Sequence, residues 1–260
     1  METISKNHLK YVVWLVFVGL CATGCGQARR NVVLTGYWPV TNEMLREFCD
    51  DPAINPDGWK GKNWKSMGYD VYAFFPTFPA NPYQNPKGEG VLEVDYQDTL
   101  ADFEAIVAKY KPIAIVCYGV GLGPWEIERR AVVRDRWSPD YLEPKYPEEK
   151  TLEKMALAAK TYTATLPAEQ IELVVNRSGL GVKAWIDEDG DPGDFLCNYI
   201  ACLAMGYQKK HGDRANTHYC AAAGFIHVGS GVSLEQARKA QVLTLEAVLK
   251  SIDMRHSNSN

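Results

Sequence analysis

The chain is predicted to be an α/β protein with three α/β/α layers, in which a mostly parallel twisted sheet is covered by helices on both faces. Three observations predict it. Short apolar runs recur along the chain, helical patterns fall between them, and no low-complexity stretch or internal repeat interrupts the sequence beyond the N-terminal leader. A polypeptide of this length buries a sizeable core without metals or crosslinks.

Strands are expected near Val32–Tyr37, Asp70–Phe75, Pro112–Tyr118, Val182–Ile186 and Tyr219–His227. The run Pro112-Ile-Ala-Ile-Val-Cys-Tyr118 is apolar throughout, the pattern of a strand buried on both faces. Helices are expected near Thr41–Phe48, Thr99–Lys109, Pro167–Asn176, Leu196–Gln208 and Ala237–Ile252. Pro167 and Gly179 bracket one of them with the usual start and stop residues. Ser233-Leu-Glu-Gln236 forms a capping box ahead of the last. The stretch from Asp51 to Tyr69, with Trp59 and Trp64 among Gly, Lys and Asn, reads as a surface insertion; covering the site or touching substrate is its second reading.

Three segments follow: a leader over residues 1–25, one folded domain over 31–252 and a polar tail over 253–260. Lys6 and Lys10 precede an apolar run from Tyr11 to Leu20, too short for a membrane-spanning helix of roughly 20 apolar residues. The run leads to Cys21-Ala-Thr-Gly-Cys25, which resembles a bacterial lipoprotein processing box with Cys25 as the lipidated residue. A lipid-anchored protein of the bacterial cell envelope is expected, with an uncleaved anchor or a cytoplasmic location as the alternatives.

The formal net charge is −4, and basic residues are interspersed with acidic ones, so nothing points to nucleic acid. Of the seven cysteines, Cys21 leaves with the leader and Cys25 carries lipid. The remainder, Cys49, Cys117, Cys197, Cys202 and Cys220, is an odd set with no disulfide pattern.

Cys197 stands apart. The acidic, glycine-rich stretch Asp187 to Asp194 is a loop, so Cys197 falls in the first turn of the following helix. Unpaired N–H groups and a partial positive charge at a helix N-terminus favour a thiolate and can hold an oxyanion. Cys117 and Cys202, by contrast, belong in the core. Among the five histidines only His227 ends an apolar strand, where α/β folds gather reactive groups. His8 lies in the leader, His256 in the tail, and His211 and His218 in polar surroundings. A carboxylate to orient the imidazole is sought in Trp125-Glu-Ile-Glu-Arg-Arg130, after the strand from Pro112 and the turn Gly119 to Pro124. Glu128 is one candidate; Glu126 is expected on the opposite face if the segment is extended. Spacing alone does not choose between them.

These residues resemble the pyroglutamyl peptidase I, or pyrrolidone-carboxylate peptidase, family of cysteine peptidases. The cysteine box is similar to Gly193-Asp-Phe-Leu-Cys197-Asn198, and the histidine box to Gly224-Phe-Ile-His227-Val228. Tyr162-Thr-Ala-Thr-Leu-Pro167 and Val33-Leu-Thr-Gly-Tyr37-Trp-Pro39 resemble two further segments, in the family's order. Ile127-Glu128-Arg129 resembles the segment of the catalytic glutamate, which favours Glu128. The resemblance implies a thioester mechanism at Cys197, His227 and Glu128, and release of an N-terminal pyroglutamyl or similar small acyl group from a peptide or amide. It implies substrate contacts at Tyr37 and Val40, no cofactor and no metal, and leaves homo-oligomers open.

The chain also departs from the pattern. Tyr37-Trp-Pro-Val40-Thr-Asn42 replaces a turn that continues Phe-Gly-Gly after its proline, and Gly121-Leu122 stands where the family has glycine and arginine. Extra residues fall between Asp50 and Tyr69 and between Trp137 and Lys160. A non-catalytic envelope lipoprotein that keeps the fold and binds a ligand or partner is therefore the alternative.

Asp187, Asp189 and Asp191 alternate as in a calcium loop, but the twelfth position is Asn198 rather than a bidentate glutamate, so solvated acidity is expected there. No phosphate-binding loop, Cys-x-x-Cys pair or His-Glu-x-x-His motif occurs.

Overall fold

The computed structural model describes residues 30–79 and 81–257. The leader, with Cys25, lies outside the described residues, so the expectation of lipidation falls there too.

A six-stranded sheet organises the chain in the order β2-β1-β3-β8-β4-β7. Its strands are β1 (Arg30–Thr35), β2 (Tyr69–Phe74), β3 (Ala114–Gly121), β4 (Trp125–Glu128), β7 (Ala184–Asp187) and β8 (Ala222–Gly229). Neighbours are parallel except β4, which runs antiparallel to β8 while pairing in parallel with β7. Two three-residue strands, β5 (Arg130–Val132) and β6 (Thr161–Thr163), form a separate antiparallel pair.

Helices cover both faces. Against one lie α1 (Pro39–Leu45), α4 (Ala168–Asn176) and α6 (Leu234–Ser257), burying Met44, Leu45, Ile171, Val175 and Val248 with Val32, Val116 and Ile226 of the strands. Against the other lie α2 (Tyr96–Tyr110), α3 (Glu149–Ala158) and α5 (Leu196–His211), which enclose Val33, Ile115, Cys117 and Phe225. Alternate residues of one strand thus feed separate cores, which is why the central strands are apolar throughout. Among the described residues no helix is long and apolar enough to cross a membrane.

The expected boundaries hold to within a few residues, and the capping box at α6 forms in both directions: Gln236 N–H donates to Ser233 Oγ at 3.3 Å and Ser233 N–H to Gln236 Oε1 at 3.0 Å. α6 runs on to Ser257, so residues 253–257 are helical rather than tail. Asp253 explains the extension, since it accepts hydrogen bonds from Arg30 and Tyr69 and ties the helix to the start of the sheet.

The insertion after Asp50 has a structural task. β2 is an edge strand, and the insertion lies along it: Val71 N–H donates to the Gly61 carbonyl at 2.9 Å, and Trp59 Nε1–H donates to the Val71 carbonyl at 2.8 Å. A Cβ at Gly61 would overlap that carbonyl, so only glycine permits the approach. Trp59 stacks on Tyr72 and Trp64 packs against Phe48. The loop covers an edge that would otherwise offer unpaired backbone groups to another chain.

Candidate active site

The three side chains expected to react converge. β8 carries His227 near its C-terminal end, α5 presents Cys197 in its first turn, and β4 brings Glu128 alongside. His227 Nδ1–H donates to Glu128 Oε1 at 2.7 Å, a distance typical of a charge-assisted bond. The Cys197 sulfur is near enough to the same ring to raise its pKa, and with Nδ1 held by Glu128 the nitrogen left to face it is Nε2. Cys197 is half-buried, whereas Cys49, Cys117, Cys202 and Cys220 are buried and free. Burial pushes the Cys117 and Cys220 thiols up to about 12, so neither competes as a nucleophile.

Electrostatics follow from this packing. Burial works against a charged imidazole, but the sulfur on one side and the carboxylate on the other outweigh it and raise His227 to about 10. Glu128 is only 1% exposed; burial raises its carboxyl above the usual range while His227 acts in the opposite sense. Its Oε2 has no hydrogen-bond partner among the described residues, so the ring is the one anchor of this carboxylate.

Glu126 does not point away from Glu128, contrary to expectation. β4 is extended, and residues two apart on a strand share a face, so both carboxylates lie on the His227 side while Trp125 and Ile127 enter the opposite core. Geometry still separates them, because Glu126 Oε2 stands 3.9 Å from Nδ1. Donor atoms of Glu126, Glu128 and His227 fall within 4.8 Å of one another, which makes them the group among the described residues able to surround a cation.

Several neighbours to which the sequence alone gives no supporting role hold these groups in place. Gly119 and Gly121 of β3 lie beneath Cys197 and His227, where any Cβ would crowd them. Asn198 is fully buried: its Nδ2 donates to the Val132 carbonyl at 2.8 Å and its Oδ1 accepts from Val132 N–H at 3.0 Å, fastening α5 to β5. The acidic loop before Cys197 is clamped rather than merely solvated. Arg134 pairs with Asp191 and reaches the Gly193 carbonyl, Arg129 pairs with Glu188, and Arg130 donates to the Asp189 carbonyl. Asp187 accepts from Gly190 N–H at 2.7 Å.

Tyr37 sits on the turn between β1 and α1, and Val40 in the first turn of α1. Thr41 Oγ1 accepts from the N–H groups of Tyr37 and Trp38 at 3.2 and 3.1 Å, and Asn42 Nδ2 donates to the Pro76 carbonyl at 2.8 Å. These bonds shape a turn that lacks paired glycines. Tyr37 is buried with its hydroxyl 3.2 Å from Thr99 Oγ1; burial raises its phenol well above the usual value, and Cys117 and Cys197 are near enough to add to the shift. Val40 is half-buried in the first turn of α1, and Leu122, at the family's arginine position, is fully exposed.

No protein-family model and no curated protein sequence matches the chain. Solved structures do. The chain is similar to pyrrolidone carboxyl peptidase from Thermococcus litoralis, with TM-score 0.61, 20% identity, and coverage of 87% of this chain and 96% of that one. It is also similar to pyrrolidone carboxyl peptidase from Pyrococcus furiosus, with TM-score 0.61, 19% identity, and coverage of 85% and 99%. At such identity the likeness establishes a shared fold.

Proposed function

We propose that this chain is a cysteine peptidase of the pyroglutamyl peptidase I family, releasing an N-terminal pyroglutamyl or similar small acyl group from a peptide or amide. The observation that carries this reading is one imidazole hydrogen-bonded to the Glu128 carboxylate, with the Cys197 sulfur near enough to raise its pKa. The shared fold supports it.

With the His227 ring already protonated, the Cys197 sulfur attacks the substrate carbonyl, and the N–H groups of the first turn of α5 receive the developing oxyanion. His227 then gives its proton to the leaving amine, leaving a thioester on the sulfur. Water, deprotonated by the same ring, hydrolyses the thioester, frees the sulfur and leaves the ring protonated for the next cycle. Glu128 fixes the imidazole and offsets its charge throughout. The acyl group is held beside Tyr37 and Val40, where the altered turn sets its size.

Trapping the intermediate tests this. Intact-mass spectrometry of protein quenched during turnover of a pyroglutamyl amide should show one acyl adduct, mapped to Cys197 and missing in His227→Ala. A panel of aminoacyl amides run beside it reads the acyl preference; a protein that forms no adduct with any of them refutes the peptidase reading.

We further propose that Cys25 carries a lipid that anchors the domain to the bacterial envelope. Its support is the small-residue run ahead of Cys25 after a short apolar stretch. Metabolic labelling with a fatty acid analogue should mark the parent and not Cys25→Ser; equal labelling of both contradicts the anchor.

A further inference from the structure

A cavity of about 780 Å³ opens between α2, α3 and α5, away from the catalytic trio. The lining residue of α5 closest to Cys197 is Cys202, about 7.5 Å further along the helix axis. One wall comes from α3, which lies within the 137–160 segment by which this chain exceeds the peptidase pattern, so substrate cleavage does not account for it.

The chemistry of the cavity is two-sided. Leu100, Phe103 and Val107 of α2, Met155 of α3 and Leu203 of α5 make an apolar floor. Lys154, Lys209 and Lys210 stand at the rim, with Glu104 as the one acidic residue of the lining. Between floor and rim the Tyr207 and His211 rings stack at 4.3 Å, and His218 follows at 6.0 Å. The Tyr207 hydroxyl and His211 Nδ1 are buried, and neither has a hydrogen-bond partner among the described residues.

We infer that this cavity binds an amphipathic monocarboxylate with an aliphatic body, chemically a fatty acid. Its volume lies in the range of small-molecule sites, about 300–1,000 Å³. The chain of the ligand covers the floor, and its carboxylate meets the lysines at the rim. A cationic amphiphile would face three ammonium groups against one carboxylate, and a nucleotide would leave the floor bare.

Calorimetric titration of the intact protein with dodecanoate below its micelle concentration, and with dodecanol and dodecyltrimethylammonium, tests this. Saturable one-site binding of dodecanoate is expected, at least about tenfold tighter than the cation. Lys154→Glu, Lys209→Glu and Lys210→Glu combined should weaken dodecanoate about tenfold and leave dodecanol within about threefold. Ala158→Trp, which fills the cavity from an exposed helix position, should abolish both while the alkylation rate of Cys197 stays unchanged. Undiminished dodecanoate binding in folded Ala158→Trp, equal binding of the cation, or no saturable binding by the parent would overturn the assignment.

Discussion

Gly119 lies directly beneath Cys197: a Cβ on this glycine would stand 2.7 Å from the sulfur and 2.8 Å from the Phe225 ring. Gly119 is also the β3 partner of His227 in the parallel register, so one strand position leaves room for the sulfur beside the base. Gly119→Ala is expected to push the sulfur from the ring and slow Cys197 alkylation and amide hydrolysis by about 10²-fold, the scale of a 1 Å misplacement. A stable fold with unchanged rates would contradict this role.

The two carboxylates should separate under mutation. Glu128→Gln keeps the shape beside Nδ1 and removes the charge, so hydrolysis should fall about 10²-fold. His227, followed by NMR titration, should move down from about 10. Glu126→Gln, at 3.9 Å, should cost less than about tenfold. Equal losses in both would mean that Glu126 shares the orienting role.

Stability should depend on pH through the same ring. Folded His227 holds its proton to about 10, against about 6.5 in an unfolded chain. The folded state therefore keeps a proton that the unfolded state releases. The contribution is fully present below pH ~6.5 and fades as pH rises through about 10. Denaturant titrations at pH 6 and pH 10 should show the parent losing more stability over that interval than His227→Gln, and parallel losses would show that the pairing is absent.

Trp59→Ala removes the hydrogen bond to Val71 and the stack on Tyr72. A loss of about 2 kcal/mol is expected from these two contacts. Uncovering β2 should also make the protein associate at high concentration, as light scattering would show. A variant that associates no more than the parent would remove edge protection as the purpose of the insertion.

Two members of the proposed catalytic trio were legible in the sequence. Cys197 and His227 each sit where an element begins or ends, and those boundaries leave strong local marks: an acidic glycine-rich loop before one and an apolar run before the other. Glu128 left no such mark, because β4 is four residues long and places two glutamates on one face; the choice rested on resemblance to known peptidases. β5 and β6 escaped notice because three residues show no alternation. α3 escaped because Glu149-Lys-Thr-Leu-Glu-Lys154 has a polar start, its helix being fixed by the burial of Met155 and by contact with α5. Gly119 and Gly121 read as a turn, and only the register of β3 on β8 gives them a task.

Turnover of a pyroglutamyl coumarin amide by the parent and by Cys197→Ala, at equal concentrations and with matching circular dichroism, is the most direct trial. Release of fluorophore by the parent alone is the predicted result. Release by both proteins at the same rate would show that the sulfur beside His227 performs no chemistry on this substrate.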